Sequence, residues 1–309
     1  MDWERLEREP GRALVEALLD DPRDREAWSV FGDFLAEHDE RLGQCVALGL
    51  RREVSQDDDE RDALSRKIRE VARWRQRDWK DPELARIFTR RGKLPTGIQI
   101  HWRYGFIESL ILDGGMTHDR PGLDLILARV FASPFSRFLS RLWIDFGSRH
   151  VDERDRTWAT LVGAAPRRAL RRIDIRDLTG HLALELPALS DLAPRLDELR
   201  VGGRVELGRV AHEHLRVLSI MTREQKLFAV PGEGVSLPSL EWLGLALRNP
   251  NLDPEQGLTL VDALVLGSPL PRLEHLHIEL AGARQAITDR LEAAGLLDQL
   301  SSFELLEPI

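Results

Sequence analysis

Residues 170–175 read LRRIDI, with apolar side chains at Leu170, Ile173 and Ile175 and charges at the positions between them. In an extended chain Ile173 and Ile175, two apart, share one face, and Arg172 and Asp174 share the other. The same spacing, apolar-x-x-apolar-x-apolar, occurs eight times. The copies are Ile107/Leu110/Leu112, Leu139/Leu142/Ile144, Leu170/Ile173/Ile175, Leu196/Leu199/Val201, Leu215/Leu218/Ile220, Leu240/Leu243/Leu245, Leu273/Leu276/Ile278 and Leu300/Phe303/Leu305. Their first positions step by 32, 31, 26, 19, 25, 33 and 27 residues. Self-similarity at such a period marks a repeat architecture, in which each unit buries its apolar face only by stacking on its neighbours.

Stretches between copies read as helices. In PGLDLILARVFASP (121–134) Pro121 suits a first helical turn, and in DPEQGLTLVDALVLG (253–267) Asp253 suits a cap with Pro254 behind it. Strand then helix, repeated, predicts an α/β fold with a parallel sheet, strands about 4.8 Å apart, and helices covering one face. Over about residues 105–309 the chain resembles the leucine-rich-repeat family. That resemblance implies a solenoid with the parallel sheet on its concave face and helices on its convex face. The asparagine that usually follows the strand in that family is mostly missing, so the turns are expected to be irregular.

The chain has 309 residues, 42% of them hydrophobic and 31% charged, which predicts a globular molecule with a large core. The domains expected are a helical module over 1–95 and the repeats over 96–309. In residues 12–50 a first helix should end at DDPRD, and a second should run from about Arg25 with Trp28, Phe31, Leu35, Leu42 and Val46 near one stripe. FGDFLAEHDERLGQCVAL (31–48) resembles the repeat-companion domain that precedes degenerate leucine-rich repeats in some bacteria, usually close to YADWLEERGDPRGEFIRL. Asp33, Phe34, Leu35, Glu37 and His38 fall on that pattern, with Phe34 where tryptophan is usual. WRYGFIESLIL (102–112) looks like the same family's junction into the first repeat. The resemblance implies an architecture more than an activity. On physical grounds a solenoid needs a terminal cap, and Trp102, Tyr104 and Phe106 stand where one would dock. Asp33 is read as a capping or helix-packing carboxylate.

Charge is unevenly spread. Residues 1–60 carry 8 basic and 18 acidic side chains, whereas 61–93 carry 12 and 5. The net charge of −8 argues against nonspecific nucleic-acid binding, and the basic segment is expected to be neutralised by its acidic neighbour. Trp74 and Trp79 among its arginines leave nucleic-acid or anion binding as an alternative. The start MDWERLEREP has no apolar leader, no run is long enough to span a bilayer, and the one cysteine, Cys45, agrees with a reducing cytoplasm, so a cytoplasmic location is expected.

The sequence has no GxSxG elbow, phosphate loop, GxGxxG, HExxH or CxxC pair. Cys45 lies in an apolar stripe and is read as a core thiol. His275 and His277 alternate onto one strand face, leaving a metal-dependent enzyme as a second alternative; HEH (212–214) is a weaker one. Asp57, Asp58 and Asp59 lack the glycine and distant glutamate of a calcium loop. The expected function is therefore a noncatalytic scaffold, a monomer by itself, with no cofactor or metal and with a protein partner. The partner face is predicted from the residues flanking the buried pairs: Arg141, Trp143, Asp145, Arg172, Asp174, Arg176, Glu198, Arg200, Val217, Met221, Trp242, His275, His277 and Glu279. The last strand, LSSFELLEPI (300–309), is expected to leave an open edge guarded by Glu304, Glu307 and Pro308.

Overall fold

The computed structural model describes residues 6–72, 97–115, 122–147, 149–177, 183–185, 187–206, 211–222, 236–247, 255, 258, 262, 270–280 and 284–306. The chain is an α/β protein with two compact units, Met1–Leu112 with Asp119–Arg141, and Asp113–His118 with Leu142–Ile309.

The first unit holds helices α1 (Gly11–Asp20), α2 (Arg25–His38), α3 (Glu40–Val54) and α4 (Asp58–Ala72), the strands β1 (Ile98–Arg103) and β2 (Phe106–Asp113), and α5 (Leu123–Ala132). The single long helix expected from Arg25 is two helices. Asp39 is extended (φ −152°, ψ 90°) and its carboxylate accepts the Leu42 N–H at 3.2 Å, so one residue both closes α2 and caps α3. The apolar stripe is thereby split over two helices that pack closely. At Gly43 a Cβ would come within 2.6 Å of the Ala36 backbone, a distance only glycine tolerates. Asp33 is not a cap: it is exposed in the middle of α2, and Asp24, accepting the Ala27 N–H at 2.9 Å, starts that helix.

Leu6, Val15, Leu18, Trp28, Phe31, Leu35, Leu42, Val46, Tyr104, Phe106 and Phe138 form one buried cluster. Cys45 is fully buried in the same helical region. β1 and β2 pair antiparallel, with Arg103 opposite Phe106 and Tyr104-Gly105 as the two-residue turn. Both turn residues have positive φ (50° and 99°), the geometry that matches strand twist in a tight hairpin but is uncommon for tyrosine. Tertiary contacts hold it there. The Tyr104 ring lies against Gly49 of α3, where a Cβ would sit 2.4 Å from its Cδ1, and its hydroxyl donates to Glu53. Arg103 adds an ion pair to Glu53 at 3.1 Å and a hydrogen bond to the Pro22 carbonyl at 3.0 Å.

The second unit runs β3 (Arg141–Asp145), α6 (Val151–Val162), β4 (Arg172–Arg176), β5 (Ala183–Glu185), α7 (Pro187–Leu192), β6 (Glu198–Gly202), β7 (Arg204–Glu206), β8 (Val217–Thr222), β9 (Trp242–Leu247), β10 (His275–Leu280), α8 (Arg284–Ala293) and β11 (Ser302–Leu306). Its main sheet has the order β3-β4-β6-β8-β9-β10-β11; β5 and β7 form a small parallel pair apart. From β4 to β11 every pairing is parallel and unshifted, so Ile173, Leu199, Leu218, Leu243, Leu276 and Phe303 stand in one row and Ile175, Val201, Ile220, Leu245, Ile278 and Leu305 in the next. These rows are the recurring apolar positions of the sequence. All are buried except Phe303 and Leu305 on β11, which are half-buried.

The turns that follow the strands, where irregularity is expected, lie largely outside the described residues, whereas the entries to the strands are regular. The carbonyls of Arg171, Asp197, Arg216, Glu241 and Glu274 each accept two successive N–H groups of the following strand's entry, at 2.8–3.1 Å. The predicted helix over 253–267 lies almost entirely outside the described residues, as do Pro121, Glu307 and Pro308. Among the described residues no helix is long and apolar enough to cross a membrane.

Candidate functional site: the open face of the sheet

The face opposite the apolar rows carries the side chains that flank them. Across β4, β6, β8, β9, β10 and β11 one row is Arg172, Glu198, Val217, Trp242, His275 and Ser302; the next is Asp174, Arg200, Ser219, Gly244, His277 and Glu304. The third is Arg176, Gly202, Met221, Ala246, Glu279 and Leu306. On β3, Arg141 is exposed while Trp143 and Asp145 are half-buried. Every residue of the predicted partner face therefore lies on one of these strands.

They do not act alike. Arg172 and Asp174 are bonded at 2.7 Å, Arg172 and Glu198 at 3.1 Å, Glu198 and Arg200 at 2.6 Å, and Arg200 approaches Asp174 at 3.9 Å. Four alternating charges form a closed ring, with Asp174 only 8% exposed between two guanidinium groups. The hydrogen bond to Asp174 raises the Arg172 pKa. Beside it the Arg176 guanidinium lies 5.7 Å from the centre of the Trp143 ring, a cation–π contact. Burial pushes the Asp145 carboxyl upward, and the nearby Asp113 and Asp177 add to this, against the Gly147 N–H donated to it at 2.8 Å and the Arg176 charge.

Next to the ring, β8 and β9 present Val217, Ser219, Met221, Trp242, Gly244 and Ala246, a strip without formal charge. Trp242 does not stand up from the sheet. A Cβ on Gly244 would lie 2.2 Å from the indole Cη2, so the ring leans along its own strand with its tip over the glycine. Both are needed for that pose.

On the far side, the two histidines are tied to β11. His275 Nδ1 is 2.7 Å from Ser302 Oγ, and His277 Nδ1 is 3.1 Å from Glu304 Oε2. A serine bonded to a histidine is the core of a nucleophile–base pair, but here the Ser302 N–H and that of Ser301 before it are both donated to the Glu274 carbonyl, at 3.1 and 2.8 Å. They are not aimed where an oxyanion would develop. Among the described residues no group of three or more His, Cys, Asp or Glu side chains is placed to hold a metal ion. His212 is buried and bonded to the Ala193 carbonyl at 3.0 Å. Asp57 serves α4, its carboxylate accepting the Asp59 N–H at 2.9 Å. Of the basic segment 61–93 only residues 61–72 are described; Arg73, Trp74, Arg75, Arg77 and Trp79 lie outside the described residues.

The sequence reading missed Gly244, Ser302 and Glu304 as members of this face. The signal for Gly244 was present in WLGL, an aromatic and a glycine two apart on one strand face. Ser302 and Glu304 stand in register with His275 and His277 only once the parallel pairing is known. No protein-family model, curated protein or solved structure matches the chain.

Proposed function

We propose that the chain is a noncatalytic, cytoplasmic, leucine-rich-repeat-like scaffold. It carries a helical companion module, and the concave sheet face of its repeats receives a protein partner. The observation that carries this reading is the uncharged strip of β8 and β9, with Trp242 laid over Gly244, beside a ring of charges that neutralise one another. Tryptophan and arginine dominate measured interface energies more often than other residues. A flat aromatic surface already held in one pose loses little side-chain freedom on binding.

The test begins with affinity capture from the native cell and mass spectrometry, and continues with the purified partner. Trp143→Ala and Trp242→Ala are compared for melting temperature and partner affinity. Little change in melting together with about 2 kcal/mol or more lost from binding is the expected result. Large drops in melting for both would mean that the rings are structural. Unchanged affinity would place the partner elsewhere and defeat the reading.

A further inference from the structure

We propose that His212 is an acid-sensitive latch: its neutral imidazole, bonded to the Ala193 carbonyl after α7, accepts the His214 N–H in the segment entering β8, and protonation breaks that second bond and loosens the segment. The argument starts from what each ring nitrogen meets. Nε2 lies 3.0 Å from the Ala193 carbonyl, which only accepts, so Nε2 carries the hydrogen. Nδ1 lies 3.3 Å from the backbone N–H of His214, which only donates, so Nδ1 must keep its lone pair. The two partners fix one neutral tautomer. A proton added at Nδ1 turns its acceptor into a donor facing another donor, and the His214 bond is lost.

The ring sits where successive repeats meet. The His212 N–H is donated to the Ser236 carbonyl at 3.0 Å on one side, and Ser190 Oγ donates to the Ala211 carbonyl at 3.2 Å on the other. Residues 211–212 thus join the segment after β4 to the segment before β9. α7 has six residues, and Leu189, Leu192 and Ala193 at its end are buried beside these ties. His212 is 7% exposed.

Among the described residues the charged and titratable groups acting on the ring are His214, Asp197 and Glu213. Burial, the largest influence, holds the His212 pKa below its ordinary value, His214 adds to that, and the Ala193 carbonyl, Asp197 and Glu213 oppose it. A depressed histidine pKa means that the unfolded or opened chain binds the proton more readily. The latch is therefore at full strength above the ordinary histidine value of about 6.5 and weakens as pH falls below it, until the folded-state value is reached.

Hydrogen exchange on the full chain, followed at the amides of 211–217 between pH 8 and 5 and corrected for intrinsic exchange, reads the latch directly. Opening of the wild-type segment should be constant above pH 7 and rise below about pH 6.5 by up to tenfold per pH unit. His212→Gln, which keeps a donor but cannot titrate, should abolish the rise, and His214→Gln should retain it. A flat wild-type profile, or the same rise in His212→Gln, overturns the proposal. Should His212→Gln fail to fold, the wild-type ring titrated by NMR with labelled histidine decides: the Nε2–H tautomer with a midpoint below about 6.5 supports the latch, and a midpoint at or above it overturns it.

Discussion

Trp28 in the first unit has the rings of Phe31, Tyr104, Phe106 and Phe138 centred 5.8, 4.8, 5.7 and 5.0 Å from its own, and its indole N–H is donated to the Pro22 carbonyl at 2.9 Å. Ile173 in the second unit stands in a row with Leu199, Leu218, Leu243 and Leu276, each a branched aliphatic side chain meeting its neighbour on the next strand. One core is built around a few large rings in unlike positions. The other is the same small piece laid down again and again. A core of the first kind depends on individual shapes, and a core of the second kind depends on the sign of each position, apolar or not.

Ile173→Asp should break the second kind most severely. An unpaired carboxylate placed in a fully buried row costs on the order of 3–5 kcal/mol or more, enough to unfold a repeat whose only support is its neighbours. A circular-dichroism melt close to that of the wild type would mean that the row is not the core. Next in size, Trp28→Ala should lose about 3–5 kcal/mol by chemical denaturation, whereas Leu218→Met, a swap of similar volume, should lose less than about 1.5 kcal/mol. Equal losses would erase the distinction between the two cores.

The smallest effect is spectroscopic. Tyr104 is the only tyrosine in the chain, so ultraviolet absorbance reads it alone. Burial and the hydrogen bond to Glu53 push its pKa up to about 12. A phenol whose folded pKa is raised stabilises the fold below its unfolded value of about 10, and that contribution is lost as pH rises from about 10 toward 12. Glu53→Gln should bring the midpoint down, and an ordinary midpoint in the wild type would detach the hairpin tip from α3.

The same contrast explains what could be read in advance. Periodic burial is written in the sequence: Leu170, Ile173 and Ile175 and their counterparts are apolar because each faces the same environment, and seven of the eight copies are buried as complete sets. The Tyr104 turn, the Gly43 crossing and the break at Asp39 depend on which helix meets which residue many positions away, and no local spacing records that. On the open face the positions were legible and the pairings were not. Arg172 and Glu198 looked like two partner contacts, yet they are each other's neighbours across a parallel ladder whose register is a property of the folded sheet.

The carbonyls at the strand entries belong to Arg171, Asp197, Arg216, Glu241 and Glu274, and side chains from adjacent repeats meet there: Arg171 with Asp197 at 3.8 Å, Arg216 with Glu241 at 2.6 Å. Since the main chain alone holds this position, its side chains can serve as labels of order. Excising the repeat that carries Asp197 would set Arg171 against Arg216, and excising the one that carries Arg216 would set Asp197 against Glu241. The repeats are alike in their cores but are not interchangeable parts: removing the Glu241 unit alone sets Arg216 against Glu274, and removing the Asp197 and Arg216 units together sets Arg171 against Glu241, so these excisions avoid a new pair of like charges.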